Sequence, residues 1–299
     1  MPIAAPTAAQ VSWVGDLIGG PPDLSIVVRP SALRADPYWG PTVARALAAH
    51  DLGGDIISQG SVAVLANAQQ IELHVVVRDP LRWANGQNLD PRSIGWVGIV
   101  HGLGLDPGSF RSGAGRPMFA AAERLPSGVV AYAPDAAYAE EYGLFAPTLF
   151  ILPDGTAVVT EQVSAPRARD ALARNGTSPA ALATAPEALG GIVMGISTLH
   201  FLSAGKADRA SISQGATAMG FGLRGGANGA VEGYADYATT DDAARAYAAL
   251  ERACAERSDG CTFAPGMFKD AKAERSGGRI SVSLVFTEAT LRSIGSLGK

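Results

Sequence analysis

Residues Thr148–Thr160 constrain the fold of this chain more than any other stretch. Two β-rich runs, Thr148 to Leu152 and Thr156 to Thr160, flank Pro153-Asp154-Gly155. That tripeptide bends the chain and supplies a residue that accepts positive φ, so the stretch reads as a hairpin. A tight hairpin forces its strands antiparallel. Neighbouring strands read over Ile57–Asn67 and Ile71–Arg78, joined by a polar bend near Gln69-Gln70. Further strands read over Asp23–Val28, Ile94–Leu103, Val129–Ala133, Ile192–Leu202, Ala210–Leu223, Ala230–Thr239 and Arg279–Phe286. Hairpins and strand pairs outnumber clean β-α-β crossovers, which predicts an α+β fold of mostly antiparallel sheets with packed helices.

The helices lie between these strands. Asp135 caps one over Ala136–Tyr142, another covers Ser164–Arg174, and Thr240 opens the longest, near Asp241–Arg257. Asp241 and Asp242 fall in its first turn, where the helix dipole favours acids. A short helix is predicted over Met118–Glu123, another turn after Ser31, a helix from Pro41 to His50 and a last one from Thr287 to Ile294. One grammar recurs: an apolar strand runs into a small polar residue that opens a helix. "LSIVVRPSALR" at 24–34 and "SVSLVFTEATLR" at 281–292 share it. Two related β-β-α-β halves are one explanation. The other is that Ser, Thr and Asp cap helices everywhere, so such junctions resemble one another without common ancestry.

With 299 residues the chain has room for one large domain or two ordinary ones. It is 47% hydrophobic and 17% charged, against about 25% charged in an ordinary soluble domain. A composition this apolar predicts a sizeable buried core. Residues 1–20 read as a flexible lead, 21–185 as an N-terminal α+β domain and 186–299 as a C-terminal one. The boundary falls in the Ala/Pro-rich stretch near 185, with the Gly/Pro loop at 104–117 as the rival.

The net charge is −4 and no Lys/Arg-rich run occurs, so the phosphate neutralisation that nucleic-acid binding needs is missing. No apolar run reaches the roughly 20 residues of a membrane span. Met1–Gln10 is uncharged and rich in Ala, Pro and Thr, without the basic start and apolar centre of a signal peptide. Either the protein is cytoplasmic, or a signal has been removed and a start codon added. Small-residue stretches of this kind follow the cleavage sites of exported proteins and lipoproteins, which favours the periplasm or cell exterior and allows a lipid anchor in the precursor.

Cys254 and Cys261 bracket Ala-Glu-Arg-Ser-Asp-Gly, where a helix ends and Gly260 can reverse the chain. A disulfide fits this spacing and an oxidising compartment. Unpaired buried thiols are the alternative. A metal pair lacks C-x-x-C spacing and a nearby His.

Other motifs lack the context that their chemistry needs. Gly220-Phe221-Gly222-Leu223-Arg224-Gly225 matches G-x-G-x-x-G, yet a β-like segment comes next where phosphate binding needs a helix N-terminus. No cofactor is therefore expected. Ser203-Ala204-Gly205-Lys206 matches S-x-x-K, the spacing of a serine nucleophile and a proton-sharing lysine, without K-T-G or a clean S-D-N. His50, His74, His101 and His200 form no H-x-x-x-H pair, and no metal site is expected. His74 and His101 sit in apolar strands, where a lone histidine is ordinarily a core or surface residue. The acid pairs Asp51/Asp55, Glu140/Glu141 and Asp241/Asp242 are candidates for acid–base work, the last two explained better by helix faces and caps. Trp13, Trp39, Trp83 and Trp96 could form a binding platform or act as core anchors. Trp83 stands out for ligand binding, because "DPLRWANGQN" is polar.

The export-like lead, Ala-rich capped helices, amphipathic strands and sparse His and Cys resemble exported proteins and lipoproteins of unknown function from GC-rich bacteria. No functional residue carries over from that resemblance. Three function classes are open. A non-enzymatic envelope or secreted protein would bind a protein partner or small ligand through sheet edges and loops, with one large apolar patch and no convergent titratable cluster. A hydrolase would bring Ser203 and Lys206, or a carboxylate pair, into a cleft. A structural subunit would self-associate or join a larger assembly.

Overall fold

The structure, a computed structural model, describes residues 8–41, 67–79, 92–102, 104–112, 114–179, 192–196, 215–225, 229–255 and 268–286. It is an α+β fold. The described strands are β1 (Leu24–Val28), β2 (Gln70–Val77), β3 (Ile94–His101), β4 (Phe119–Arg124), β5 (Val130–Pro134), β6 (Thr148–Ile151), β7 (Ala157–Thr160), β8 (Ile192–Ile196), β9 (Ala216–Arg224), β10 (Ala230–Tyr237), β11 (Phe268–Ser276) and β12 (Arg279–Phe286). The α-helices among the described residues are α1 (Ala8–Ile18), α2 (Pro30–Ala35), α3 (Ala136–Tyr142), α4 (Ala165–Arg174) and α5 (Thr240–Ala255).

Every strand pair is antiparallel, in the order β11-β12-β10-β9-β8-β1-β2-β3-β7-β6-β5-β4. The β1–β8 pair joins the two parts of the chain edge to edge, Leu24 facing Ile196 and Val28 facing Ile192. The expected boundary at 185 itself lies outside the described residues. Outward from that pair, one side runs β1-β2-β3-β7-β6 and the other β8-β9-β10-β12-β11. On each side a helix, α3 or α5, comes after the third strand, and a hairpin then returns its second strand to the third. Strands β4 and β5 are additional on the first side.

The hairpin at 148–160 forms as its residues require. Gly155 takes φ +84°. Gly155 N donates to Leu152 O at 2.9 Å, Leu152 N to Thr156 O at 2.9 Å, and Asp154 Oδ1 accepts from Thr156 N at 2.8 Å. Helix α5 begins with a reciprocal cap: Asp242 N donates to Thr239 Oγ1, and Thr239 Oγ1 donates to Asp242 Oδ2 at 2.6 Å. Helix α2 starts at Pro30, one residue before the expected cap, because proline's fixed φ suits the first helical position.

Two expectations are corrected. Residues 8–18, read as part of a flexible lead, form α1, and Val14, Leu17 and Ile18 are buried. Val11, Val14 and Ile18 recur at helical spacing, and packing against the sheet stabilises the helix. Met118–Glu123, read as a short helix, is instead strand β4. Its alanines favour a helix, but the ladder with β5 prevails.

The first half of the sheet is covered on both faces. One face carries α1 and α4, whose Ala168 and Leu172 pack with Val97, Ile99, Val129, Phe150 and Val158. The other carries α3 and the 105–118 segment over Val100, Phe110, Met118, Tyr138 and Leu149. Tyr138 stacks on Tyr142 with centroids 4.4 Å apart. Burial, reinforced by Tyr142 and Glu141, pushes its hydroxyl up to about 12. Burial does the same to Tyr237, also to about 12. The fold therefore keeps both protons at pH values where the unfolded chain, with tyrosines near about 10, gives them up. Stability is expected to fall as pH rises from about 10 towards 12, by up to about 1.4 kcal/mol per pH unit for each tyrosine. Urea midpoints across that range, compared with Tyr138→Phe, measure the slope.

Candidate functional site

Strand β2 alternates Gln70, Glu72 and His74 with Ile71, Leu73 and Val75, so its polar residues share one face. Register places Ser25 of β1 opposite His74, and His101 of β3 opposite Gln70. These five polar side chains therefore lie together on the face that α1 covers. Glu72 is 4% exposed and His74 2%.

Glu72 is the hub. Its Oε2 accepts from His74 Nε2 at 3.1 Å and its Oε1 from His101 Nε2 at 3.0 Å. Gln70 Nε2 donates to Oε1 at 2.9 Å, and Gln70 Oε1 accepts from Arg29 at 3.4 Å. His74 Nδ1 meets Ser25 Oγ at 2.8 Å. A carboxylate only accepts, so each imidazole keeps its proton on Nε2, and in the neutral rings each Nδ1 is an acceptor. Ser25 therefore donates to His74 Nδ1. No hydrogen bond from a described residue reaches His101 Nδ1, and the His101 side chain is 14% exposed.

A pocket of ≈ 330 Å³, its open mouth included, lies over this cluster. Ser25, Glu72, His74, Ile99 and His101 form its floor. Gln10, Val11, Trp13 and Val14 of α1 form a wall, with Ser178 and Pro179 beside them. Most of that volume is open to solvent; the space that water can occupy within it is ≈ 10 Å³, room for about one water. Glu72 gives one oxygen to each imidazole and so stands between them. Among the described residues no group of three or more His, Cys, Asp or Glu side chains is arranged to hold a metal ion.

A second buried charged group fixes the far end of the same strands. Glu161 is 0% exposed. Its Oε1 accepts from Arg78 at 2.9 Å and from Ser164 Oγ at 2.5 Å, and its Oε2 accepts from Ser164 N at 2.6 Å. Gly95 makes room for this arrangement, since a Cβ there would lie 2.7 Å from the Arg78 guanidinium. Glu161 thereby ties the end of β2 to the start of α4, the helix that packs against α1.

The glycine motif is explained by close packing. Gly220 and Gly222 lie in β9, and β10 comes next, so no helix N-terminus is present to hold a phosphate. A Cβ at Gly220 would sit 2.5 Å from the Tyr234 ring. That ring lies under Arg279, 4.4 Å from its centroid, and Arg279 pairs with Asp236 at 2.6 and 2.7 Å. Gly225 approaches Asp36, and Gly229 approaches Tyr38 and Trp39.

Ser203, Lys206, Trp83, Cys261, His50, His200 and the Asp51/Asp55 pair lie outside the described residues. Cys254 falls in the last turn of α5, and no disulfide is present among the described residues. Glu140 and Glu141 are exposed on α3. Trp13 is partly buried at the pocket, Trp39 is buried, and Trp96 packs against Leu24 and Val75. The cluster at Ser25, Glu72, His74 and His101 is not among the sites expected from sequence. Its one sequence signal is the polar alternation of β2 between apolar strands.

Comparison of the chain with family models, with curated proteins and with solved structures finds no match.

Proposed function

We propose that this chain is a small-molecule-binding protein whose site is the pocket between α1 and the Ser25–Glu72–His74–His101 cluster. The observation that carries this reading is the convergence of two carboxylate-oriented imidazoles on a pocket floor. Buried polar groups lower stability unless they are fully satisfied, so such a cluster in an otherwise apolar face points to function. It keeps the small-ligand half of the binding protein expected from sequence, while adding a convergent titratable cluster that this expectation did not include.

Sheet edges offer less. The edge strands β4 and β11 are interrupted by register shifts, and β11 exposes Lys272, Glu274 and Arg275. Bulges and charge are what discourages strand addition. Among the described residues the exposed large hydrophobics are Leu144, Phe145 and Val163. The matched strand orders around β1 and β8 support a duplicated β-β-β-α-β-β unit, with the cluster in the first copy.

Thermal melting against a library of small acids, amines, esters and sugars tests the binding reading. Ligand at about 100 times its Kd stabilises by about 2.7 kcal/mol, so a true ligand raises Tm by several degrees. Val11→Trp fills the pocket from α1 and removes that response. A library without effect on the wild type, or with equal effect on Val11→Trp, contradicts the assignment.

A further inference from the structure

Two imidazoles share one carboxylate beneath α1: Glu72 accepts from His74 Nε2 at 3.1 Å and from His101 Nε2 at 3.0 Å. We propose that this cluster is an acid-sensitive latch, in which charging both imidazoles releases the N-terminal turns of α1 from the sheet and opens the pocket. This rests on the binding reading for what the opening admits, and it adds the condition under which the site is uncovered.

The charge count sets the trigger. With both rings neutral, Glu72 is the one charge at the centre, and both Nε2–H groups donate to it. One imidazolium turns the arrangement into an ion pair of net charge zero. A second imidazolium has to share the same carboxylate. The other described groups around the cluster do not relieve it. From α1 it is faced by Gln10, Val11, Trp13 and Val14, while Asp16 is exposed. On β1, Asp23 Oδ2 accepts from Val77 N at 2.7 Å, and Arg29, which reaches Gln70 at 3.4 Å, is itself positive. Gly195 of β8 lies opposite Ser25. On β3 the cluster's other neighbours are Val97 and Ile99, and beyond β7 the Glu161 carboxylate is taken by Arg78. Pro22, Ser178 and Pro179 complete the lining. The space left for water is ≈ 10 Å³, about one molecule. That is too little to hydrate an unbalanced charge, and an unbalanced charge in a dry site is costly.

The part that yields is set by how each element is held. Strands β1, β2 and β3 are each paired on both sides, so none of them gives way alone. Helix α1 is held by side chains. Leu17 and Ile18 sit in the core with Ala168 and Leu172 of α4. The turns over the cluster lie on the other side of Gly15, and a glycine inside a helix weakens it. Ala8–Val14 can therefore peel away at the loss of Val14's burial, while Leu17 and Ile18 stay in place. Such chain-terminal turns belong to the low-stability end of a fold, where local opening occurs without global unfolding. Opening brings solvent to the imidazoles and widens a water-sized space.

The test uses the whole chain between pH 8 and pH 5, the range over which imidazoles change charge. Acrylamide quenching of Trp13 is read as the difference between wild type and Trp13→Phe, with far-ultraviolet circular dichroism recorded alongside. The Trp13 quenching constant is expected to rise severalfold at pH 5 with the strand signal retained. His101→Gln keeps a donor to Glu72 and leaves one imidazole for one carboxylate, so its Trp13 is expected to stay protected. If His101→Gln fails to fold, hydrogen exchange of the wild type decides the matter. Corrected for intrinsic rates, exchange at pH 5 is expected to accelerate in residues 8–18 and not in β1, β2 or β3. Unchanged quenching from pH 8 to pH 5, an equal rise in His101→Gln, or a rise that coincides with loss of the strand signal overturns the proposal, as does acceleration spread over the strands. If ligands raise Tm at pH 8 while Trp13 stays protected at pH 5, the latch falls and the binding reading stands. If Trp13 is released at pH 5 while no ligand raises Tm at either pH, the latch stands and the binding reading falls.

Discussion

Glu161→Ala is expected to destabilise the protein by about 3–5 kcal/mol, enough to unfold a large fraction of a marginal domain. The effect has two sources. The Arg78 guanidinium loses its carboxylate partner, its side chain being only 22% exposed, while Ser164 N and Oγ lose their acceptor at the start of α4. Removing one member of a buried pair leaves the other charged and poorly solvated. Glu161→Gln keeps the shape and part of the hydrogen bonding, so it is expected to cost less. Urea denaturation followed by circular dichroism gives both values. A change below about 1 kcal/mol for Glu161→Ala would show that the pair is better solvated than its geometry indicates. Because α4 packs on α1, the same substitution is expected to loosen the cover of the pocket.

The second large effect separates function from packing at the polar cluster. Glu72→Ala strands two imidazoles and the Gln70 amide in the core, and is expected to cost about 3 kcal/mol or more. The triple substitution Glu72→Met, His74→Leu, His101→Leu replaces the cluster with apolar groups of similar volume. It is expected to cost less than Glu72→Ala, because no buried charged group remains, although Gln70 and Ser25 lose their Glu72 and His74 partners. The same triple variant is expected to lose the ligand-induced rise in Tm. A folded triple variant that still binds would place the function elsewhere. A triple variant as unstable as Glu72→Ala would make the cluster structural.

Much of the fold is legible in the sequence because its determinants are local. The turn at Pro153-Asp154-Gly155 needs only its own residues and the positive φ of Gly155. The cap of α3 is made by Asp135 Oδ1 accepting from Ala137 N, and Asp135 is its sequence signal. Where tertiary contacts decide, local reading fails. Helix α1 is held by the core, where Val14, Leu17 and Ile18 are buried. Strand β4 is built from alanines that favour a helix, and only the ladder with β5 makes it extended.

The site is illegible for the same reason. Ser25 and His74 are 49 positions apart, and Glu72 and His101 are 29 apart. Each alone has the look of an ordinary strand residue. Their meeting depends on β1, β2 and β3 lying side by side in one register, which nothing local specifies. The glycines at 220 and 222, by contrast, carry a recognisable motif, and Gly220 proves to be a matter of space for Tyr234. Motif strength and function part company here because one depends on spacing in sequence and the other on neighbours in the sheet.

Glu72 holds both imidazoles by Nε2, leaving His74 Nδ1 to Ser25, and the proposed function depends on that arrangement. Long-range ¹H–¹⁵N correlation of the imidazole rings in mildly alkaline buffer tests it most directly. Both rings are expected to carry the proton on Nε2, with the His74 Nδ1 resonance moving in Ser25→Ala and that of His101 staying in place. Protonation of Nδ1 in either ring, or a His74 signal indifferent to Ser25, would contradict the account.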